Sequence, residues 1–487
     1  MQFLKDIKDG SLEIYTKSEL NSLDFLQDIN IQKVTIFGCQ NISPILFNNY
    51  IKEFNLKLCA IKSIDCLHMN VLQSLNLYSN QLTSIDHIVS FTLLTELDLS
   101  SNENIDISPL QHLPKLVKLH MNDCGLNTIT VLQSLVNLKE LSIQENLLTD
   151  LSTLCQLTQL TKLRIAFNYL FHVGFLKFLV NLQELDVHGN QHIIYLGQIQ
   201  YLTKLKTLEV GWCRVTYLSW LENLCNLQSL SLQNNKIAQY VLPEKFQNLH
   251  SLESLNLNGC DLTEISFIQP LVHLKELFLQ NNYGVDITPL QYLTQLNKLT
   301  VQGCGLKNIN VLKSLINLTE LNLNSNAIVD ITALQRLTKL MKLNVAYCML
   351  DNITSLQELV NLKVLSITSN YIIYLNPLKN LTNLTLLEIN DNLIQDFQPI
   401  MTHPYFDNYE ISKQQLPTED QKRFSYKMKC IDTQIERLRL KCKLKQKIVT
   451  GMFKVSKSMN KCYKSAASFA LQLQALFELE SRVESWQ

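Results

Sequence analysis

A repeat of 22 residues constrains this chain more than any other feature. The segment LNLYSN (75–80) aligns with LDLSSN (97–102), and the register continues as L-x-x-L-x-L-x-x-(N/C)-x-L-x-x-I. The asparagine-or-cysteine position recurs seventeen times, at Cys39, Cys59, Asn80, Asn102, Cys124, Asn146, Asn168, Asn190, Cys213, Asn235, Cys260, Asn282, Cys304, Asn326, Cys348, Asn370 and Asn392. A unit this short cannot bury its own apolar face, so the repeats must stack on one another.

The L-x-L centre of each repeat predicts a short β-strand. Alternate side chains of a strand point to opposite faces, so both leucines point inward and their neighbours point to solvent. Strands one repeat apart should pair in parallel at about 4.8 Å. We therefore predict an α/β solenoid, a horseshoe with a parallel concave β-sheet and a C-terminal α-helical extension.

The pattern also predicts the domain organisation. We expect a degenerate N-terminal repeat or cap over residues 1–30 and a solenoid of about 17 repeats over residues 31–402. A cap and linker should follow over residues 403–421, and a basic helical tail over residues 422–487. Within the solenoid, NIDISPLQHLPKLVKL (104–119) reappears as GVDITPLQYLTQLNKL (284–299), which indicates that one half is a copy of the other.

These repeats resemble those of leucine-rich repeat proteins, in the 22-residue class shared by the type-1 phosphatase regulatory subunit and bacterial internalins. They are also similar to leucine-rich repeat families expanded in some protists. The resemblance covers about three quarters of the chain. It implies a solenoid that binds proteins or regulates an enzyme, but no phosphatase contact can be carried over to particular residues.

The cysteines of the pattern could be chemical or structural. Cys304 stands in KLTVQGCGLKNI (298–309), where the next repeat, ELNLNSNAIVDI (320–331), has Asn326. Asparagine offers a donor and an acceptor to backbone groups that leave the strand, and cysteine fits the same slot with a weak S–H donor. Cysteines two repeats apart, about 10 Å, are too distant for a disulfide or a shared zinc ion. Only Cys39 and Cys59 are neighbours, so we interpret these cysteines as structural.

Composition excludes several classes of protein. The start of the chain has no apolar stretch behind a basic flank, and no run approaches the length of a membrane helix. Thirteen cysteines, an odd number, then favour a reducing cytoplasm over a disulfide framework. Nucleotide-binding and zinc-protease motifs are absent from the sequence, so we predict neither an enzyme nor a cofactor. His188 and His192 are poorly placed for a metal, and the Cys430-Ile-Asp432 triplet has no catalytic domain around it.

The outward positions of the predicted strands differ between the two halves. The first outward column alternates in charge over Glu96, Lys118, Glu140, Lys162 and Glu184, and again over Glu276, Lys298, Glu320 and Lys342. We interpret this column as an aid to register and solubility, because surface pairs contribute only about 0–1 kcal/mol each.

The next columns carry the candidate binding residues. In the N-terminal half these are Asp98, His120, Arg164, Phe167, Asp186, His188, Glu209 and Trp212. Exposed Arg, Trp and aromatic side chains beside charges are typical of an interface hot spot. We therefore predict a protein partner on this face. The alternative is that Phe167 and Trp212 fold over the strand ends as local packing.

The tail is strongly basic, with 14 Lys or Arg and two acidic residues between Lys422 and Lys464. Its apolar residues follow four-three spacing, which favours a coiled coil or a helical hairpin. The candidate residues for an anionic partner are Arg437, Arg439, Lys441, Lys443, Lys445 and Lys447. Three interpretations stay open: a packed or self-associating helix, a site for an acidic protein, membrane surface or RNA held by charge alone, and a calmodulin-type target helix.

Overall fold

The computed structural model describes residues 11–15, 30–39, 46–47, 50–65, 67–193, 195–237 and 243–405. The predicted basic tail, with its coiled-coil interpretation and its candidate residues from Arg437 to Lys447, lies outside the described residues. The same holds for Cys430 and for most of the predicted cap and linker. No helix among the described residues is long and apolar enough to cross a membrane.

The described residues form 20 strands, of which 18 make one open parallel sheet and two make a separate pair. In chain order the strands are β1 (Ser11–Tyr15), β2 (Lys33–Phe37), β3 (Leu46–Phe47), β4 (Glu53–Lys57), β5 (Leu67–His68), β6 (Ser74–Asn76), β7 (Glu96–Asp98), β8 (Lys118–His120), β9 (Glu140–Ser142), β10 (Lys162–Arg164), β11 (Glu184–Asp186), β12 (Thr207–Glu209), β13 (Ser229–Ser231), β14 (Ser254–Asn256), β15 (Glu276–Phe278), β16 (Lys298–Thr300), β17 (Glu320–Asn322), β18 (Lys342–Asn344), β19 (Val364–Ser366) and β20 (Leu386–Glu388). The two-residue strands β3 and β5 pair with each other. Each of the remaining 18 strands pairs in parallel with its neighbours in the large sheet, as β2 does with β4 and β4 with β6.

The register of the sheet follows the leucines of the repeat. Leu163 lies opposite Leu185, and Leu299, Leu321 and Leu343 face one another on consecutive strands. Each of these leucines is buried. The core is therefore a continuous stack of leucines behind the sheet, and the predicted leucine-rich repeat solenoid is confirmed.

The return segments of the repeats are short 3-10 helices. They span Asp86–Ser90, Ser108–His112, Thr130–Ser134, Ser152–Gln156, Gly174–Phe178, Gly197–Tyr201, Ser219–Asn223, Pro243–Lys245, Ser266–Ile268, Thr288–Tyr292, Asn310–Ser314, Thr332–Arg336, Thr354–Glu358 and Asn376–Leu378. The described residues contain one α-helix, Gln398–Met401. A 22-residue unit that also contains a strand and two turns leaves too few residues for an α-helix of several turns, so the helical layer is 3-10.

A ladder of asparagine side chains closes the bend after ten of the strands. Asn326 is 5% exposed, and its Nδ2 donates to the carbonyl oxygens of Val301 (2.9 Å) and Leu323 (2.7 Å). Its Oδ1 accepts from the backbone N–H groups of Cys304 (3.1 Å) and Leu306 (2.9 Å) in the preceding repeat. One amide side chain therefore satisfies four backbone groups that the strands leave unpaired.

Cysteine performs the same task with one atom. The Sγ of Cys304 donates to the carbonyl oxygen of Leu279 (3.1 Å), and the backbone N–H of Asn282 donates to the sulfur. Burial raises the pKa of the Cys304 thiol, and it raises the pKa values of Cys124, Cys213 and Cys260 to about 12. These groups stay neutral thiols and are structural. Cys59 is also a free thiol, with its Sγ 3.4 Å from the carbonyl oxygen of Ile36.

The two halves of the solenoid share local backbone detail. Asn104 and Gly284, which are 180 residues apart, both have positive φ angles, 63° and 80°. The N–H of Asn104 donates to the carbonyl of Cys124 (3.1 Å), and that of Gly284 donates to the carbonyl of Cys304 (2.8 Å). The copy seen in the sequence is thus also a copy of conformation.

Candidate binding surface on the strand face

Five of the eight predicted binding residues lie in one row across the sheet, and the other three, Phe167, His188 and Trp212, follow the strand ends. We call this row the central row; it consists of the last residues of β7 to β12, namely Asp98, His120, Ser142, Arg164, Asp186 and Glu209. Asp98 lies opposite His120, Arg164 lies opposite Asp186, and Asp186 lies opposite Glu209. The row crosses six adjacent strands on the outward face of the sheet, which is the concave face of such a solenoid.

Arg164 is held between two glutamates. Its Nη1 atom lies 3.3 Å from Glu140 Oε1, and its Nη2 atom lies 3.2 Å from Glu184 Oε2. The Glu140 Oε1 atom is also 3.2 Å from His120 Nε2, and Lys162 pairs with Glu184 at 2.8 Å. The pKa of Glu140 is lowered: burial would raise it, but the hydrogen bond from His120 and the charges of His120, Arg164 and Lys162 outweigh burial. The guanidinium is therefore fixed in place before any partner arrives.

Sequence reasoning assigned Glu140 and Glu184 to the charged column and not to the site. The column itself is confirmed: Lys118 pairs with Glu96 at 2.8 Å, and Lys342 pairs with Glu320 at 2.7 Å. Glu140 differs from the others because it contacts two residues of the central row, His120 and Arg164. That placement, one strand from each of His120 and Arg164, was readable from the repeat register.

Asp186 and Glu209 have no comparable cation. Neither carboxylate forms an ion pair within the described part of the chain; Asp186 Oδ1 accepts from the N–H of His188 at 3.0 Å. Burial raises the pKa of Asp186 against the effects of that N–H, His188 and Arg164. Burial also raises the pKa of Glu209, and the charge of Asp186 adds to the shift. Burial lowers the pKa of His188, so its ring is held neutral.

Phe167 and Trp212 occupy strained backbone positions. Each precedes its ladder residue with a left-handed φ, 52° for Phe167 and 55° for Trp212, a conformation that recurs at this position along the solenoid, for example at Tyr347. A bulky side chain in this region costs about 1 kcal/mol or more. Phe167 is 52% exposed and Trp212 is 48% exposed. They are not buried by local packing. Because the same φ recurs at this position in both halves of the solenoid, the backbone conformation does not distinguish these two residues, whereas their exposed rings do.

Phe167 nevertheless has a defined support. Its ring centroid lies 5.0 Å from that of His188, in a tilted arrangement. A Cβ on Gly189 would come within 2.6 Å of Phe167 Cδ1, and a Cβ on Gly211 would come within 2.8 Å of His188 Nδ1. The glycines at these two positions therefore leave room for the two rings.

A band of aromatic side chains beyond the strand ends was not predicted. We call it the aromatic rim; it consists of Tyr169, Phe171, His192, Tyr195 and Tyr217. The four tyrosine and phenylalanine side chains are at least half exposed. The His192 ring lies 5.4 Å from Phe171 and 6.4 Å from Tyr169, so it stacks with one ring and tilts against the other.

The rim replaces helix-capping residues. Four residues after the ladder, seven of the seventeen repeats carry an Asp or Asn that accepts a hydrogen bond from an N–H at the start of the following helix, as Asp150 does from Ser152 (2.8 Å). Tyr195, after a one-residue insertion, and Tyr217 occupy this position in two consecutive repeats. The missing Asp or Asn is a signal that could have identified Tyr195 and Tyr217, but not the other three rim residues, from the sequence.

The equivalent row of the C-terminal half is neutral from β16 to β19, where it carries amide and hydroxyl side chains. Thr300, Asn322 and Asn344 follow one another at the central-row position, and Asn322 Nδ2 donates to Gln302 Oε1 at 3.2 Å. Tyr347, Tyr371 and Tyr374 are exposed there, but they form no ring–ring contacts with described residues. Among the described residues of the whole chain, no group of three or more His, Cys, Asp or Glu side chains could hold a metal ion.

Known proteins share this architecture. A family model for two copies of leucine-rich repeats matches residues 70–112, and a single leucine-rich repeat model matches residues 226–249. An internalin (inlF) of Listeria monocytogenes is 29% identical, with a TM-score of 0.51, over 63% of this chain and 84% of that one. No curated protein matches the sequence.

Two further solved structures share the fold. A leucine-rich repeat protein of Leptospira interrogans is 22% identical, with a TM-score of 0.58, over 82% of this chain and 99% of that one. The functional domain of InlJ from Listeria monocytogenes, which includes a cysteine ladder, is also 22% identical, with a TM-score of 0.54, over 74% of this chain and 72% of that one. The repeat models, the parallel sheet and its Asn/Cys ladder together show that this chain is a leucine-rich repeat protein.

Proposed function

We propose that this protein is an interaction scaffold that binds a protein partner on the strand face between β7 and β12. The observation that carries the proposal is the central row, in which Arg164 is fixed by Glu140 and Glu184 beside the exposed rings of Phe167 and Trp212. Arg and Trp are enriched among interface hot spots, and a solenoid usually contacts its partners through this extended face.

The geometry favours recognition because it is prepared in advance. An arginine that is free in solution must lose rotamer freedom on binding, which costs about 0.5–1.5 kcal/mol for such a side chain. Glu140 and Glu184 already restrict the Arg164 side chain, so it loses little further rotamer freedom when a partner binds. The rings of Phe167 and Trp212 are likewise already exposed, so they contribute little to folding and can contribute to binding.

A capture experiment tests the proposal. The full chain, the double variant Arg164→Ala/Trp212→Ala and the matched control Asn344→Ala/Tyr347→Ala would each be used to recover proteins from the source cells. We expect one or more proteins to be recovered by the wild type and the control in equal amounts and lost with the first variant. Equal recovery by all three would contradict this placement of the site.

The second candidate is a regulatory subunit of an enzyme such as a type-1 protein phosphatase. What favours it is the repeat class, which this chain shares with the phosphatase regulator. The same capture distinguishes the two: a phosphatase catalytic subunit recovered at one-to-one stoichiometry, with altered activity, supports regulation. Recovery of unrelated proteins supports a scaffold. Leucine-rich repeat folds are generally not enzymes themselves.

We keep two further proposals for the chain as a whole. The buried neutral thiols of the ladder support a cytoplasmic location, because a reducing compartment preserves them; fractionation of the source cells would test this. The basic tail is proposed to bind an anionic partner or to self-associate. Sedimentation that shows a monomer at high protein concentration would exclude self-association.

A further inference from the structure

The aromatic rim and the central row form one surface. Phe167 contacts His188 on the next repeat, and Phe171, four residues after Phe167, contacts His192, four residues after His188. The contacts thus continue from the strand ends over the edge of the sheet on the same two repeats. A partner that covers the central row therefore meets exposed rings as it leaves the strand face.

This surface carries more carboxylates than cationic side chains. The central row and the left-handed positions beside it carry five carboxylates, at Asp98, Asp123, Glu145, Asp186 and Glu209, but only two guanidinium groups, Arg164 and Arg214. Arg164 is already neutralised by Glu140 and Glu184. Asp186 and Glu209 have no such ion pair, and burial raises the pKa of Glu145 with a further contribution from Asp123. The uncompensated charge on the surface is therefore negative.

Aromatic rings beside carboxylates are suited to cationic side chains. A guanidinium or ammonium group gains from the face of a Tyr or Trp ring and from a carboxylate at the same time. A phosphate backbone would instead meet these carboxylates and be repelled, which disfavours nucleic acid on this face. Charge complementarity thus selects a basic partner.

The spacing of the row sets the length of the segment that binds. Five strand steps of about 4.8 Å separate Asp98 from Glu209, so the row is about 24 Å long. An extended chain advances about 3.4 Å per residue and would need about seven residues to follow it.

We infer that the partner presents an extended basic segment of about seven or more residues, an inference that rests on the proposed function. Its arginine or lysine side chains would lie between the carboxylates of Asp186 and Glu209 and the rings of the aromatic rim.

Peptide binding tests the inference on the full chain. The probes are fluorescein-labelled ten-residue peptides with arginine at alternate positions, and matched peptides with citrulline or glutamate in those positions. Fluorescence anisotropy at 0.15 M salt should show the arginine peptide binding at least tenfold more tightly than the citrulline peptide. The glutamate peptide should show no binding.

Matched variants locate the binding. Asp186→Asn/Glu209→Gln should weaken the arginine peptide about tenfold, and Tyr195→Ala/Tyr217→Ala about fivefold. Glu276→Gln/Glu320→Gln makes the same charge change in the other half, and Tyr371→Ala/Tyr374→Ala removes two exposed rings there; both should stay within twofold of the wild type. Thermal melts of each variant verify that it is folded.

Two results would overturn the inference: equal affinity for the arginine and citrulline peptides, or equal loss in the site variants and their controls. The outcome is separable from the proposed function. If the capture depends on Arg164 and Trp212 while the arginine peptide does not bind, the scaffold proposal stands and the basic partner falls. If the capture is independent of these two residues, the scaffold site falls whatever the peptides show.

Discussion

The two halves of this solenoid have the same interior and different outward faces. Across a shift of 180 residues, Asn146 corresponds to Asn326 and the two side chains make equivalent hydrogen bonds. Over the same shift Arg164 corresponds to Asn344, and Asp186 to Ser366. The guanidinium of Arg164 and the half-buried carboxylate of Asp186 in one half therefore correspond to an amide and a hydroxyl in the other, whereas Glu209 corresponds to another carboxylate, Glu388.

The difference shows how a repeat separates stability from recognition. Because strand side chains alternate, the inward leucines and the ladder can be kept while every outward residue changes. The N-terminal half retains features that reduce stability, such as the half-buried carboxylate of Asp186, whose pKa is raised by burial. Natural proteins keep such features chiefly where they bind or react.

The ladder should give the largest effect, and it should be equal in both halves. Asn146→Ala and Asn326→Ala each leave four buried backbone groups without the amide, including the N–H groups of Cys124 and Cys304. We expect each variant to lose about 3 kcal/mol, since an unsatisfied buried group costs about 1–3 kcal/mol. Denaturant unfolding measures the loss. A loss confined to one half would break the view that the halves share one scaffold.

Binding should distinguish the halves most clearly at two matched aromatic residues. Trp212 and Tyr347 occupy the same position before the ladder, both with φ of 55°. We expect Trp212→Ala to weaken the partner about 30-fold, the equivalent of about 2 kcal/mol, and Tyr347→Ala to have no effect. Titration calorimetry with the captured partner measures both. A larger effect of Tyr347→Ala would move the site to the other half.

The fixed arginine should contribute to stability more than an ordinary surface lysine does. Arg164→Ala leaves Glu140, which is only 19% exposed at its side chain, without its guanidinium partner. We expect a loss of about 1 kcal/mol, against about 0.5 kcal/mol or less for Lys342→Ala at an exposed pair. Thermal unfolding at low and high salt compares them. Equal losses would show that the Glu140–Arg164–Glu184 arrangement is an ordinary surface pair.

The smallest effect should differ in sign between two acidic residues. The folded-state pKa of Asp186 is raised by burial, so its charge disfavours folding at pH 7, and Asp186→Asn should raise the unfolding midpoint. That gain should disappear as the pH falls through the raised pKa towards the ordinary value of 3.8. The pKa of Glu320 is lowered by the hydrogen bond from Lys342, so Glu320→Gln should lower the midpoint at pH 7, and the loss should disappear under acid. The same sign for both variants would contradict the contrast in electrostatics.

Much of this comparison was predictable from the sequence. The spacing of Leu, Asn and Cys predicted the strands, their order and the ladder, because only one register buries all the leucines. The row from Asp98 to Glu209 followed from that register alone. The role of Cys304 also followed from the size and hydrogen-bonding capacity of the thiol.

The rest required coordinates. The anchoring of Arg164 depends on side-chain rotamers, which the repeat pattern does not specify. The aromatic rim lies in turns, where Tyr169 and Phe171 have no periodic partner in the pattern. The exposure of Phe167 and Trp212 became visible only in the structure, because a position just after a strand does not specify whether a ring packs locally or faces solvent.

Site-specific cross-linking tests the central claim most directly. A photoreactive benzoylphenylalanine would be introduced in the full chain as Trp212→benzoylphenylalanine or, in the other half, as Tyr347→benzoylphenylalanine, and irradiated in source-cell extract. We predict a discrete adduct with a partner protein from position 212 and none from position 347. An adduct from position 347 alone, equal adducts from both positions, or no adduct from position 212 would contradict the claim that the partner binds the N-terminal half.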